Sequence, residues 1–234
     1  MNRLVPLFLA LVVVATTLTG ASPKEANGQT AGVVSGLLNR MENNRKNLTS
    51  LRAGLSMEKY NSQLRDSERR EGVVLYVPSG KGDPSVRIEW TSPQKEILAV
   101  HKGKYTLFRP RRNEALVGKS GSVKGTAGAG GILDLMYMSR QQLEARFQPV
   151  QDVREETLWG GVSTIHITLV PKGAASFKYA EIWVDKAGMP VQTKIVEKND
   201  DATTMRLQNL EKNIKIASNQ FVIDLDPSVK VVKS

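Results

Sequence analysis

From residue 51 onward, apolar residues recur at every second position, and this period of two returns along most of the chain. Leu51, Ala53, Leu55 and Met57 alternate with Arg52, Gly54, Ser56 and Glu58. Such a segment buries one face and wets the other, which is the pattern of a half-buried β-strand. Val73, Leu75 and Val77 repeat it, interleaved with Val74 and Tyr76, and Val86, Ile88 and Trp90 alternate with Arg87 and Glu89. Residues 96–100 and 105–108 are split by His101-Lys102-Gly103-Lys104, a hairpin signal. Ile165, Ile167 and Leu169 alternate with Thr164, His166 and Thr168. Residues 177–184 and 190–196 flank Asp185-Lys186-Ala187-Gly188, and Asn199-Asp200-Asp201 turns the chain into 203–210. Phe221 to Leu225 reads as a short last strand. Tight turns join only antiparallel neighbours, so the expectation is an α+β chain, mainly antiparallel β, with one packed and one polar sheet face.

Three segments depart from this rhythm. Arg3 precedes an apolar run from Leu4 to Leu18, followed by Leu18-Thr19-Gly20-Ala21-Ser22. A basic start, a short apolar stretch and small residues after it describe a secretory signal peptide over residues 1–21. The run falls short of the ~18 apolar residues that cross a bilayer. Within residues 1–21, Leu18-Thr19-Gly20-Ala21 resembles a bacterial lipobox with Ala21 in place of the acylated cysteine. With no thiol to acylate, the expected mature chain is free in the exported compartment. Residues 22–30 are small and polar and read as a flexible leader, with a single domain over 31–234. That domain opens on a helix, because Val33, Val34, Leu37, Leu38 and Met41 fall at helical spacing before Asn43, Asn44 and Asn47. Finally, Gly118, Gly121, Gly125, Gly128, Gly130 and Gly131 make a loop of 118–131. It leads into the apolar run Ile132, Leu133, Leu135, Met136 and Met138, then a helix around Leu143 and Phe147 for which Ser139 suits the N-cap.

Composition removes most chemistry. The chain has no cysteine and two histidines, which excludes disulfides, thiolate metal sites and cysteine nucleophiles and leaves no basis for a multi-histidine centre. Gly118-Lys119-Ser120 lacks the leading glycine of a phosphate loop, since Asn113 stands there. Gly128-Ala129-Gly130 has Leu133 where a dinucleotide fingerprint needs its third glycine. Ser163 and His166 lie on opposite faces of one strand, so they form no dyad. His166 is expected as a surface or satisfied strand residue. No catalytic residue, metal ligand or cofactor site is expected, and the chain is read as not an enzyme. Lys and Arg number 33 against 23 Asp and Glu, a net charge of +10. Arg65, Arg69 and Arg70 form one basic group and Arg109, Arg111 and Arg112 another. They read either as solvated loop charge or as attraction to anionic headgroups or an acidic partner, and without interleaved aromatics not as a nucleic-acid site.

Several motifs in order resemble the periplasmic outer-membrane lipoprotein carrier (LolA-like) family. Leu51-Arg52-Ala53-Gly54-Leu55 is similar to its first strand, and Gly72-Val73-Val74-Leu75-Tyr76-Val77-Pro78 to its Gly-x-Leu-x-x-x-Pro second strand. Val86-Arg87-Ile88-Glu89-Trp90-Thr91-Ser92-Pro93 is similar to its third strand, and Leu169-Val170-Pro171-Lys172 to its Leu-x-Pro-Lys signature. Phe221 through Pro227, with Val229-Lys230-Val231, resembles its C-terminal pattern. The resemblance covers roughly residues 33–232. It implies an incomplete (open) β-barrel with an N-terminal helix and inserted lid helices. The implied function is a periplasmic carrier that binds lipoprotein acyl chains in a hydrophobic cavity and shuttles lipoproteins from inner to outer membrane. The implied partners are acylated lipoproteins, an inner-membrane lipoprotein-releasing transporter and an outer-membrane acceptor, with the carrier a monomer. The alternative is a paralogue of the same fold acting as a lipid-binding or envelope-stress sensor. On this reading Leu51, Ala53, Leu55, Met57, Val86, Ile88 and Trp90 line the lipid-binding face, and Ile132, Leu135 and Met136 form the lid. The family carries Arg before the second-strand proline as a lid latch; Val77 precedes Pro78 here.

Overall fold

The computed structural model describes residues 25–79, 83–120 and 136–233. Twelve strands form one sheet. They are β1 (Leu51–Asn61), β2 (Asp66–Val77), β3 (Ser85–Ser92), β4 (Glu96–His101), β5 (Lys104–Arg109) and β6 (Glu114–Lys119), then β7 (Gln151–Leu158), β8 (Val162–Leu169), β9 (Phe177–Asp185), β10 (Pro190–Glu197), β11 (Ala202–Lys212) and β12 (Lys230–Lys233). The order across the sheet is β12-β6-β5-β4-β3-β2-β1-β11-β10-β9-β8-β7. All pairings are antiparallel except β12, which runs parallel to β6. β12 and β7 are the two edges and do not pair with each other, so the curled sheet is an open barrel.

Two helices complete the described fold: α1 (Glu25–Asn47) and α2 (Arg140–Arg146). Residues 25–30, expected as part of a flexible leader, are helical: once the turn around Val33 is nucleated, extending it N-terminally adds a backbone hydrogen bond per residue. Leu37, Leu38 and Met41 of α1 pack on Ile167 and Leu169 of β8 and Ala180, Ile182 and Val184 of β9, joined by Leu143 and Phe147 of the α2 region. Ser139 caps α2 reciprocally with Gln142, a capping box. The C-terminal part of α1 is tied to the start of α2 by Glu42, whose carboxylate accepts from Arg45 at 2.7 Å and from the Arg140 backbone N–H at 3.2 Å.

The Arg45 bond is the main reason that the Glu42 carboxyl is lowered to about 2, with the Arg140 N–H adding to it. A carboxyl depressed on folding stabilises the protein at pH above its ordinary value and stops doing so as pH falls through the folded value. Glu42→Gln is therefore expected to cost about 1 kcal/mol at pH 7, discounted for partial solvent screening. That cost should shrink between roughly pH 4.5 and pH 2, which urea titrations at stepped pH would read.

Three strands escaped the sequence pattern, and one expected strand is absent. β6, β7 and β12 were not expected, and Phe221, placed in a strand by its neighbours' alternation, lies in a 3-10 turn over Ser218–Phe221. Phe221 is buried there, with its ring 6.0 Å from that of His101. The segment is fastened by Arg87, which donates to the carbonyls of Gln220 and Val222 at 3.0 and 3.2 Å. His166 is fully buried, not at the surface. It lies against Trp183 at 4.7 Å between ring centres, with Glu181 3.6 Å from Nε2 and Asp152 3.4 Å from Nδ1.

Candidate functional site

The inner face follows from the strand register. Leu51, Ala53, Leu55 and Met57 stand opposite Tyr76, Val74, Gly72 and Arg70 on β2. Tyr76, Val74 and Gly72 in turn face Val86, Ile88 and Trp90 on β3. Val86, Ile88 and Trp90 face Val100, Leu98 and Glu96 on β4. Cross-strand partners share a face, so these side chains form one continuous surface. The seven residues expected to line it are brought together: Leu51, Ala53, Leu55, Met57, Ile88 and Trp90 are buried in one cluster and Val86 packs against it. Met136, the described member of the expected lid, is buried in the same cluster. Ile132 and Leu135 lie outside the described residues. On β2 the inward residues are Val74 and Tyr76, both buried, while Val73, Leu75 and Val77 are only half-buried. The continuous apolar run there arises because both faces of β2 are covered. Val73 and Leu75 line an outer recess with Ile214 and Ile216.

Close approach shapes this face at Gly72. A Cβ there would come within 2.2 Å of the Glu89 carbonyl oxygen, so only glycine admits β3 at that distance. One step further along the strands the apolar surface ends in charge. Arg70 pairs with one oxygen of Glu96, whose other oxygen lies 3.2 Å from Arg109 Nε, and Arg109 reaches Glu114 at 4.0 Å. The Arg70 guanidinium also stacks over Trp90 at 4.8 Å. Arg70 and Arg109, grouped in the sequence with surface arginines, are thus inward members of an ion-pair ladder. At the opposite end, the Tyr137 ring stacks on Tyr76 at 4.2 Å, with 11° between the planes.

A second apolar region lies under the helices and holds a cavity of about 570 Å³. Ala31, Val34, Ser35 and Leu38 of α1, Leu143 and Phe147, Val150 and Leu169 line it, with Arg140, Glu144 and Lys172 also at its wall. That volume falls in the range of about 300–1,000 Å³ typical of small-molecule sites. None of these residues was singled out as a ligand contact by the sequence, although the Ser139 cap and the four-residue spacing of Leu143 and Phe147 were there to suggest a docked helix.

Chemically, what the site offers is burial of apolar groups. Among the described residues, no group of three or more His, Asp or Glu side chains is placed to hold a metal ion. No described helix is long and apolar enough to cross a membrane.

The fold recurs in solved structures. An uncharacterized conserved protein from Thermus thermophilus matches with a TM-score of 0.54 at 12% identity, over 86% of this chain and 99% of that one. MucB of Pseudomonas aeruginosa, solved in complex with MucA, matches with a TM-score of 0.51 at 13% identity, over 86% of this chain and 63% of that one. A separate MucB structure gives 0.53 at 12% identity, over 86% of this chain and 66% of that one. The chain thus spans less than two thirds of the MucB chains it matches. Among curated proteins, none matches the sequence. The family model described as outer membrane lipoprotein carrier protein LolA matches residues 84–224, more than half of the chain, from β3 through β11 and the 3-10 turn that follows it. With the open antiparallel barrel and its N-terminal helix, this places the chain in the LolA family of outer membrane lipoprotein carrier proteins.

Proposed function

We propose that the protein is a non-enzymatic periplasmic carrier that shields lipoprotein acyl chains and shuttles them between inner and outer membrane. The observation that supports this best is the inner sheet face. It is apolar from β1 through β5 and again over β8 and β9, and an apolar cavity of about 570 Å³ opens where α1 and α2 cover it. Each buried CH₂ is worth about 0.8 kcal/mol, so an acyl chain crosses water only inside such a cover. Met136 and Tyr137, lying over the β1–β5 half, take the part of a lid that moves to admit cargo. The implied partners are an inner-membrane lipoprotein-releasing transporter and an outer-membrane acceptor. Export with cleavage after Ala21 delivers the chain to the compartment where that work is done.

The test is extraction of an acylated lipoprotein from inner-membrane vesicles by the purified protein, with mass spectrometry of co-purified acyl lipid. Ser35 lines the cavity from α1. Ser35→Trp fills the space without touching the β1–β5 cluster and is expected to lower extraction about tenfold or more at an unchanged melting temperature. Wild-type protein that carries no acyl lipid and extracts none would overturn the reading. Capture of a membrane signalling protein without any transfer of lipoprotein would instead favour an envelope-stress sensor, a reading supported by the complex that MucB, of similar fold, forms with another protein, MucA.

A further inference from the structure

A second pocket, polar and of about 390 Å³, sits where α1 and β2 end and residues 136–138 begin. Arg45, Tyr137, Gln142 and Arg146 line it, and Leu48 and Tyr76 connect it to the apolar cluster on the inner sheet face. No carboxylate is among its described lining residues. The Arg45 charge is already matched, because its guanidinium donates twice to Glu42, at 2.7 and 3.0 Å. Arg146 is exposed at the pocket rim, and its side chain makes no hydrogen bond or ion pair with any described residue, so it is free to meet a ligand. Beside it, the Tyr137 hydroxyl is buried with no hydrogen-bond partner among the described residues. Burial pushes that phenol well above its usual range, so it stays protonated and has an O–H to donate to an acceptor.

An unmatched guanidinium, a buried donor lacking its acceptor and the end of an apolar face together describe a receptor for an oxyanion attached to hydrocarbon. We propose that this pocket binds the phosphate of an acyl lipid whose chains lie on the inner face. Arg146 is the charge partner and Tyr137 the hydrogen-bond donor. The proposal rests on the reading of the inner face as an acyl-chain site, and it goes beyond the lipoprotein cargo to a phospholipid held on the same face. The same oxyanion chemistry is offered by free phosphate, and the experiment separates the two sources.

The test is calorimetric titration of the full chain with three probes: dihexanoyl phosphatidate, dihexanoylglycerol and inorganic phosphate. Phosphatidate is expected to bind at least about tenfold more tightly than dihexanoylglycerol or phosphate alone, the worth of one or two charge-assisted hydrogen bonds. Arg146→Gln should erase most of that advantage and leave dihexanoylglycerol binding unchanged, and Tyr137→Phe, which keeps the ring on Tyr76, should likewise lower the ratio of phosphatidate to dihexanoylglycerol affinity. Tyr137→Phe should also keep or raise the melting temperature of the free protein, because it deletes an unpartnered buried hydroxyl. Equal binding of the two lipids overturns the headgroup proposal and leaves the carrier reading standing. Inorganic phosphate binding as tightly as phosphatidate overturns the lipid source. Binding of neither lipid overturns this proposal, and lipoprotein extraction tests the carrier reading separately.

Discussion

Gly188→Ala is expected to lower stability by about 3 kcal/mol and the melting temperature by roughly 6–12 °C. Gly188 closes the β9–β10 turn, donating to the Asp185 carbonyl at 3.0 Å with φ at +84°. Any L side chain in that left-handed conformation costs about 1–2 kcal/mol. Space adds to this. An alanine Cβ would stand 2.3 Å from the Arg40 carbonyl oxygen and 2.8 Å from the Met41 nitrogen, both in the backbone of α1. A backbone cannot swing aside as a side chain can, so α1 must lift from β8 and β9, where Leu37, Leu38 and Met41 are buried. Overpacking of this kind costs about 1–3 kcal/mol more. Gly103 supplies the control: its φ is +73°, and nothing lies within 4 Å of its added Cβ. Gly103→Ala should therefore show the conformational cost alone. Differential scanning calorimetry of the pair separates the two contributions, and equal melting temperatures would contradict the close approach of α1.

Glu96→Ala is expected to cost about 2 kcal/mol, while Arg70→Met combined with Glu96→Met should lie within about 1 kcal/mol of wild type. Glu96 faces both Arg70 and Arg109, and the three side chains are 24%, 17% and 23% exposed. Removing the shared carboxylate leaves two cations against an apolar sheet face, a situation that costs about 3–5 kcal/mol when fully buried. Partial exposure lets each guanidinium recover some hydration, and Arg109 keeps Glu114 at 4.0 Å. Replacing Arg70 as well removes the stranded charge and leaves apolar volume beside Trp90. Urea midpoints of wild type, Arg70→Met, Glu96→Met and the double variant form a cycle whose coupling measures the pair. A single variant no less stable than the double would show that the ladder is solvated.

Local pattern carried much of this architecture, and it failed where a tertiary neighbour decides the outcome. β1 and β3 were readable with their inward residues because one face is apolar and the other is not. β2 was readable as a strand but not in its facing, since residues 213–222 cover its outer side and make Val73 and Leu75 as apolar as Val74 and Tyr76. A period-two signal with both phases apolar contains no facing information. β7 has Arg154, Glu155 and Glu156 mid-strand, as an edge strand tolerates, and so looks like a loop. The ladder depends on register between strands far apart in sequence: Arg70 and Glu96 are 26 residues apart. No spacing rule in one segment announces such a meeting. The helix-covered cavity was missed for a similar reason, since α1 and α2 wall it from opposite ends of a hundred-residue interval.

The strand order also dictates when the barrel can be completed. β1 through β6 pair in succession, as do β7 through β11, so each half assembles from neighbouring hairpins. The seam between the halves pairs Leu51 with Lys212 and Tyr60 with Ala202. As the chain emerges N-terminus first, one side of β1 therefore waits for β11 while five strands beside it are already formed. Joining segments so distant in sequence is slow. During that wait, the open edge of β1 accepts β11 from a second molecule as readily as from its own. Refolding at high protein concentration should accordingly divert material into strand-exchanged dimers, and dilution should return it to the monomer.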